Sequence, residues 1–135
     1  MLTAKLIQPQ MIAALSRCGH RSKVLIADGN YPLAEKSGSA EKVYLGLMPG
    51  LPTVTDVLEA VLSVVNVEKA EVMTPDEGGE PPIFEEFRAR LGGMELNGLE
   101  RSEFYAACMA EGVVLAVSTG EQRIYGNILL TIGVA

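Results

Sequence analysis

Residues 9–32 read PQMIAALSRCGHRSKVLIADGNYP, and the change of hydrophobic period inside this stretch decides the fold class. Met11, Ile12, Leu15 and Cys18 recur at helical spacing. Pro9 suits a first turn, where its missing N–H costs nothing, and Gly19 suits the position just past the end. The spacing predicts a helix over Pro9–Cys18. Val24 to Ala27 is then a continuous apolar run, as expected of a strand covered on both faces. Asp28 closes it, and Gly29-Asn30-Tyr31-Pro32 forces a turn.

The same alternation continues outward from this helix–strand unit. Val43 to Met48 reads as a second strand, and Thr53 with Asp56 offers a capping box to a helix carrying Val57, Leu58, Val61, Leu62 and Val65. Val67 to Met73 is a weaker strand, followed by an acidic, proline-rich loop from Pro75 to Pro82. Ile83, Phe84, Phe87 and Leu91 mark a third helix, supported by Glu86 and Arg90 at i,i+4 and stopped by Gly92-Gly93. Met94 to Leu99 reads as a strand. A fourth helix is expected from a cap at Ser102 to Glu111, with strands over Val113–Ser118 and Ile128–Val134. Helices alternating with short apolar strands make an α/β domain in three layers around a largely parallel sheet.

The chain has 135 residues, which fits one domain, 1–135, with no second one. Aromatic residues make up only 5%, with no tryptophan, so aliphatic side chains and methionine must fill the core. A mean hydropathy of +0.23 is high for so small a domain and points to apolar surface used in subunit contacts. The run from Ile124 to Ala135 carries no charge. As an edge strand it would invite aggregation, so burial against another subunit is expected. A formal net charge of −6 and a pI near 4.8 argue against nucleic acid and anionic membrane as partners. No apolar run approaches the roughly 18 residues of a membrane span, and Lys5 and Pro9 break what would be a signal core. Cys18 and Cys108 stand far apart, and a cytoplasmic, reducing location is expected.

Ligands of open α/β sheets bind beyond the carboxyl ends of the strands. That rule selects Asp28 and the turn after it, Gly29-Asn30-Tyr31-Pro32, together with Thr119-Gly120-Glu121 and Tyr125-Gly126-Asn127. Each piece alone fits a turn equally well: Asp28 as a cap on its own backbone, Tyr125-Gly126-Asn127 as the entry to a strand. Arg101 alone fits a solvated partner of Glu100 or Glu103. His20 alone fits a helix-end histidine, and the two cysteines fit core positions. With one histidine and no C-x-x-C, no zinc site is expected. The residues 76–80, Asp-Glu-Gly-Gly-Glu, lack the order of a calcium loop. There is no G-x-G-x-x-G, G-x-x-x-x-G-K-[ST] or G-x-S-x-G, so no cofactor is expected.

Taken together, Arg17-Cys18-Gly19-His20, Asp28-Gly29-Asn30-Tyr31-Pro32, Gly120-Glu121 and Tyr125-Gly126-Asn127-Ile128-Leu129-Leu130 resemble the D-ribose pyranase and L-fucose mutarotase family. The order and spacing hold across nearly the whole chain. The resemblance implies a Rossmann-like isomerase that acts on the anomers of a monosaccharide without a cofactor. It also implies a homo-oligomeric ring, a decamer or octamer, with sites near subunit boundaries. His20 takes the role of proton donor, Asp28, Tyr125 and Asn127 that of sugar binding, and Tyr125 that of a second proton carrier. Arg101, four residues before Tyr105 in R-x-x-F-Y, and the Y-G-N form resemble the fucose branch, in which Arg101 also binds sugar. The ribose branch usually has histidine near the first place and Y-A-N at the second. Histidine is the side chain whose ordinary titration lies nearest neutral pH, which suits giving and taking protons in ring opening. The rival readings are a D-ribose pyranase and a non-catalytic monosaccharide-binding accessory of sugar transport, which would have no need of a titrating group.

Overall fold

Val24 and Ile26 turn to one side of a sheet, Leu25 and Ala27 to the other, and all four are completely buried. Only a strand with packed layers on both faces does this. The computed structural model, which describes residues 1–135, places that strand, β1 (Lys23–Ala27), near the middle of six. The others are β2 (Glu41–Tyr44), β3 (Val67–Met73), β4 (Leu96–Leu99), β5 (Val113–Ser118) and β6 (Ile128–Ile132), in the sheet order β2-β5-β1-β6-β3-β4. β1, β2 and β5 pair parallel, as do β3 and β4, whereas β6 runs antiparallel to both β1 and β3. The sheet is therefore mostly parallel, with one reversed strand at its centre.

Three helices cover one face: α1 (Pro9–Ser16), α2 (Val54–Leu62) and α3 (Ile83–Arg90). They bury Met11, Leu15, Leu58, Val61 and Phe87 against Val24, Ile26, Leu115 and Leu130. The other face is covered by α4 (Arg101–Cys108) and by the segment 31–40, through Phe104, Cys108, Tyr31 and Leu33. The expected three layers are present, with the second helical layer reduced to one helix and a loop. No helix is long and apolar enough to cross a membrane.

Several boundaries differ from the sequence reading. α1 ends at Ser16, because the N–H of Arg17 already turns back to Ala14 and Leu15. β2 spans Glu41–Tyr44 rather than Val43–Met48: it pairs with β5 only as far as Ser118, and the chain then folds over itself through a Met48–Leu51 bridge. α4 is capped by Glu100, not Ser102. The Glu100 carboxylate accepts the N–H of Glu103 at 2.8 Å, and the helix unwinds at Met109, short of Glu111. β4 starts at Leu96, not Met94, and β6 stops at Ile132, where the N–H of Gly133 leaves the sheet for the carbonyl of Asn66. The edge-strand argument for subunit contacts also falls. β6 is uncharged because it is central, with β1 and β3 on either side and all five residues buried. The capping box at α2 is as read, with Thr53 Oγ1 accepting from Asp56 N and Asp56 Oδ2 from Thr53 N.

Candidate functional site

Because β6 runs antiparallel to β1, its beginning lies beside the end of β1, and the pairing of Ile26 with Ile128 carries Asp28 to Asn127. Both side chains are 5% exposed. The N–H of Asp28 donates to Asn127 Oδ1 at 2.8 Å, Asn127 Nδ2 donates to Asp28 Oδ2 at 3.2 Å, and the N–H of Asn30 donates to Asp28 Oδ1 at 3.0 Å. Burial pushes the Asp28 carboxyl above the ordinary carboxylate value, and these donors only partly offset it. The result is a buried carboxylate that is fixed in direction and readier than usual to accept a proton.

Above this pair opens a cavity of about 300 Å³. Arg101 and Tyr105, one turn apart on α4, form one wall, and Tyr125 another. Met73, at the end of β3, and Ile124 supply apolar surface. The Tyr105 hydroxyl next to Arg101 favours its charged form, as does Tyr125. Tyr105 is held edge-on to Tyr31 with ring centroids 5.6 Å apart, and the ammonium of Lys36 lies 5.5 Å from its ring centre. Tyr31 in turn donates its hydroxyl to the carbonyl of Lys36 at 2.7 Å.

Tyr125 has a φ of 59°, left-handed for a residue with a bulky side chain, so the loop around it must be over-determined. Glu121, 3% exposed, does much of this. Its carboxylate accepts from Val54 N (3.1 Å), Arg123 N (3.0 Å), Arg123 Nε (2.8 Å) and Arg123 Nη2 (2.9 Å). Burial works to raise its pKa, but Arg123 and the N–H donors outweigh burial and hold it below the ordinary range. Arg123 also meets Glu86 on α3, which ties the loop to the far side of the sheet. The Glu121 carbonyl accepts the N–H of Gly29 at 2.9 Å, joining the loop to the turn after β1.

His20 stands elsewhere. It precedes β1, so the strand's five residues, roughly 16 Å at about 3.3 Å each, separate it from Asp28. Its ring Nε2 lies 3.0 and 3.2 Å from the two carboxylate oxygens of Glu68. It borders a second cavity, of about 550 Å³, with Val64, Asn66 and Val134. The structure thus brings Asp28, Arg101, Tyr125 and Asn127 together in one cavity and leaves His20 at the opposite end of the sheet. Asn30 lines the cavity from the turn that the sequence selects after Asp28, whereas Tyr105, Met73 and Glu68 lie outside the site residues the sequence selects. Tyr105 carried a usable signal, its i,i+4 spacing from Arg101; Glu68 carried none. No three His, Cys, Asp or Glu side chains converge as a metal would require.

A family model, that of the RbsD / FucU transport protein family, matches residues 1–135. The chain belongs to this family. Among RbsD / FucU relatives, the D-ribose pyranase of Geobacillus kaustophilus is 27% identical over 135 residues, covering 100% of this chain and 96% of its own. The fucose mutarotase of Homo sapiens is 32% identical over 145 residues, covering 96% of this chain and 90% of its own. Two solved structures share the fold. Bacillus subtilis RbsD complexed with D-ribose has a TM-score of 0.86 at 24% identity, covering 100% of this chain and 99% of that one. The fucose mutarotase of Streptococcus pneumoniae in complex with L-fucose has 0.84 at 23%, with the same coverage.

Proposed function

We propose that the protein is an isomerase that interconverts the anomers of a free monosaccharide. The observation that carries this is the Asp28–Asn127 pair at the floor of a sugar-sized cavity with both polar and apolar walls, in a chain whose family includes both pyranases and mutarotases. Ring opening needs a proton on the ring oxygen and the loss of one from the anomeric hydroxyl. His20 delivers the first. The Tyr125 hydroxyl, which accepts one proton as it donates another, relays the second to the Asp28 carboxylate, which burial has made more basic. The bond between C1 and the ring oxygen breaks, leaving an aldehyde. Rotation about C1–C2 presents its other face, and closure returns both protons. Asn127 and Arg101 bind the sugar hydroxyls.

Within one chain His20 is too far from Asp28 to act on the same sugar, so the site is completed across a subunit boundary. Exposed apolar residues mark both halves: Leu47, Met48, Leu51 and Ile124 at the Asp28 end, Ile7, Val64 and Val134 toward the His20 end. Unlike surfaces that meet head to tail close into a ring, here a decamer or octamer. Arg101, the Y-G-N form and the apolar Met73 and Ile124, which suit a methyl group, favour a fucose-type sugar over ribose. Relatives of both names have comparable identities, so this choice rests on the site residues. The free thiols of Cys18 and Cys108 fit the reducing cytoplasm.

NMR exchange spectroscopy of anomeric protons over fucose, ribose and galactose tests the reading. Exchange faster than in buffer, greatest for fucose, is expected. Exchange no faster than in buffer for every sugar contradicts the enzyme and favours a binding protein. A preference for ribose reverses the branch alone.

A further inference from the structure

Arg123 sits two residues before Tyr125, and its guanidinium joins three elements. Nε and Nη2 donate to the two oxygens of Glu121 at 2.8 and 2.9 Å, an in-plane fork that the single ammonium of a lysine cannot copy. Nη1 donates to Glu86 on α3, 37 residues away in the chain. Nη2 also lies 3.4 Å from the Thr55 hydroxyl in the first turn of α2. Two helices of the same layer are thus tied to the turn 121–126. That turn is tight: a Cβ on Gly126 would stand 2.9 Å from the Arg123 carbonyl oxygen, 3.0 Å from Glu121 Cγ and 3.4 Å from Ile83 Cδ1 on α3. Its start is fixed to the end of β1, because the N–H of Glu121 donates to Thr119 Oγ1 at 3.1 Å and that hydroxyl donates to the Ala27 carbonyl at 2.8 Å. Tyr125 stands at the corner, with its φ of 59°.

A left-handed tyrosine persists only while its surroundings over-determine it. If the turn opened, φ would return to negative values and the Tyr125 ring would leave the wall of the sugar cavity. The Arg123 and Glu86 side chains are 39% and 43% exposed, and ion pairs so open to water add little to stability. What the bridge supplies is direction, since the guanidinium meets two carboxylates at once and each fixes the plane of the fork. From this we propose that Arg123, anchored by Glu86, is a positioning residue for Tyr125: bridging Glu121 to α3, it keeps the turn 121–126 closed and the Tyr125 ring in the sugar cavity. Arg123 touches no sugar and acts only through the Tyr125 hydroxyl, the group that relays the anomeric proton to Asp28. The assignment rests on the anomer-exchange reading above, but its turn-holding half is measurable without any sugar.

The chain has four tyrosines, so ¹³C,¹⁵N-tyrosine labelling of the full-length protein gives few enough signals to follow the backbone shifts of Tyr125, which report its φ. Left-handed values are expected in the wild type, and values averaged toward negative φ in Arg123→Ala and, less so, in Glu86→Gln, whose half-exposed side chain can change without disturbing the core. For anomer exchange, Arg123→Ala should lower kcat by about tenfold or more while KM stays within about threefold, because Asp28, Arg101 and Asn127 still hold the sugar. Arg123→Lys should recover only part of the loss. Millimolar guanidinium chloride should raise kcat of Arg123→Ala and leave the wild type unchanged, with sodium chloride as the control; a merely structural defect would not respond. Identical Tyr125 shifts in the wild type and Arg123→Ala would overturn the proposal, as would an unchanged kcat or a loss that guanidinium does not relieve. A wild type that exchanges no sugar would overturn the anomer reading and the catalytic half of this assignment. The Tyr125 shifts would then decide by themselves whether Arg123 holds the turn.

Discussion

At the scale of single residues, the proposed chemistry depends on one buried carboxylate, Asp28, and one imidazole, His20. Asp28 binds its proton more tightly in the folded chain than in the unfolded one. The sign follows: its ionisation costs stability near neutral pH, and that cost is relieved as pH falls through the raised value toward the ordinary 3.8. The melting temperature of the wild type, measured against Asp28→Asn, should therefore rise as pH is lowered across that window; a flat difference would mean that Asp28 titrates normally. His20→Ala should reduce anomer exchange by about 10²-fold or more, the usual scale of general acid–base catalysis. Sugar binding, read by ligand-observed NMR, should persist, because Asp28, Arg101 and Asn127 line the other half of the site. Tyr125→Phe should likewise lower kcat more than it raises KM.

At the scale of elements, the loop after β5 is zipped to the loop after β2. The N–H of Gly50 donates to the Gly120 carbonyl at 2.6 Å, and the N–H of Gly120 to the Pro52 carbonyl at 2.9 Å. A Cβ on Gly120 would lie 2.5 Å from the Met48 carbonyl oxygen and 2.7 Å from Leu51 N, both rigid backbone atoms. Gly120→Ala should cost about 1–3 kcal/mol, the range of steric overpacking, seen as a lower urea midpoint at constant m-value. Features like the capping box of α2 were legible in the sequence because Thr53 and Asp56 are three residues apart and need no distant partner. Asp28, Tyr125 and Asn127 were legible because ligands of such sheets gather beyond the strand ends, and Arg101 because R-x-x-F-Y resembles the fucose branch; all four line one cavity. The direction of β6 was not legible, and neither was its central place: both depend on pairing with β1 and β3, which no local pattern encodes. Nor was Glu68, whose orientation comes from a register break in that same pairing.

At the scale of the whole molecule, Asp28 and His20 stand at opposite ends of one sheet, so the proposed mechanism requires assembly. Light scattering at micromolar concentration should show an oligomer larger than a dimer, and specific activity should fall on dilution to the point where the oligomer dissociates; a fully active monomer would contradict the shared site. The most direct measurement mixes two inactive variants, His20→Ala and Asp28→Ala, by co-expression, and records anomer exchange. Each variant alone lacks one half of every site. In a mixed ring, a subunit that keeps His20 can face a neighbour that keeps Asp28. With random placement at equal amounts, about a quarter of the boundaries restore a complete site, so activity should return to about a quarter of the wild-type level. Mixed assemblies as inactive as either parent would show that His20 and Asp28 do not serve one sugar across a subunit boundary.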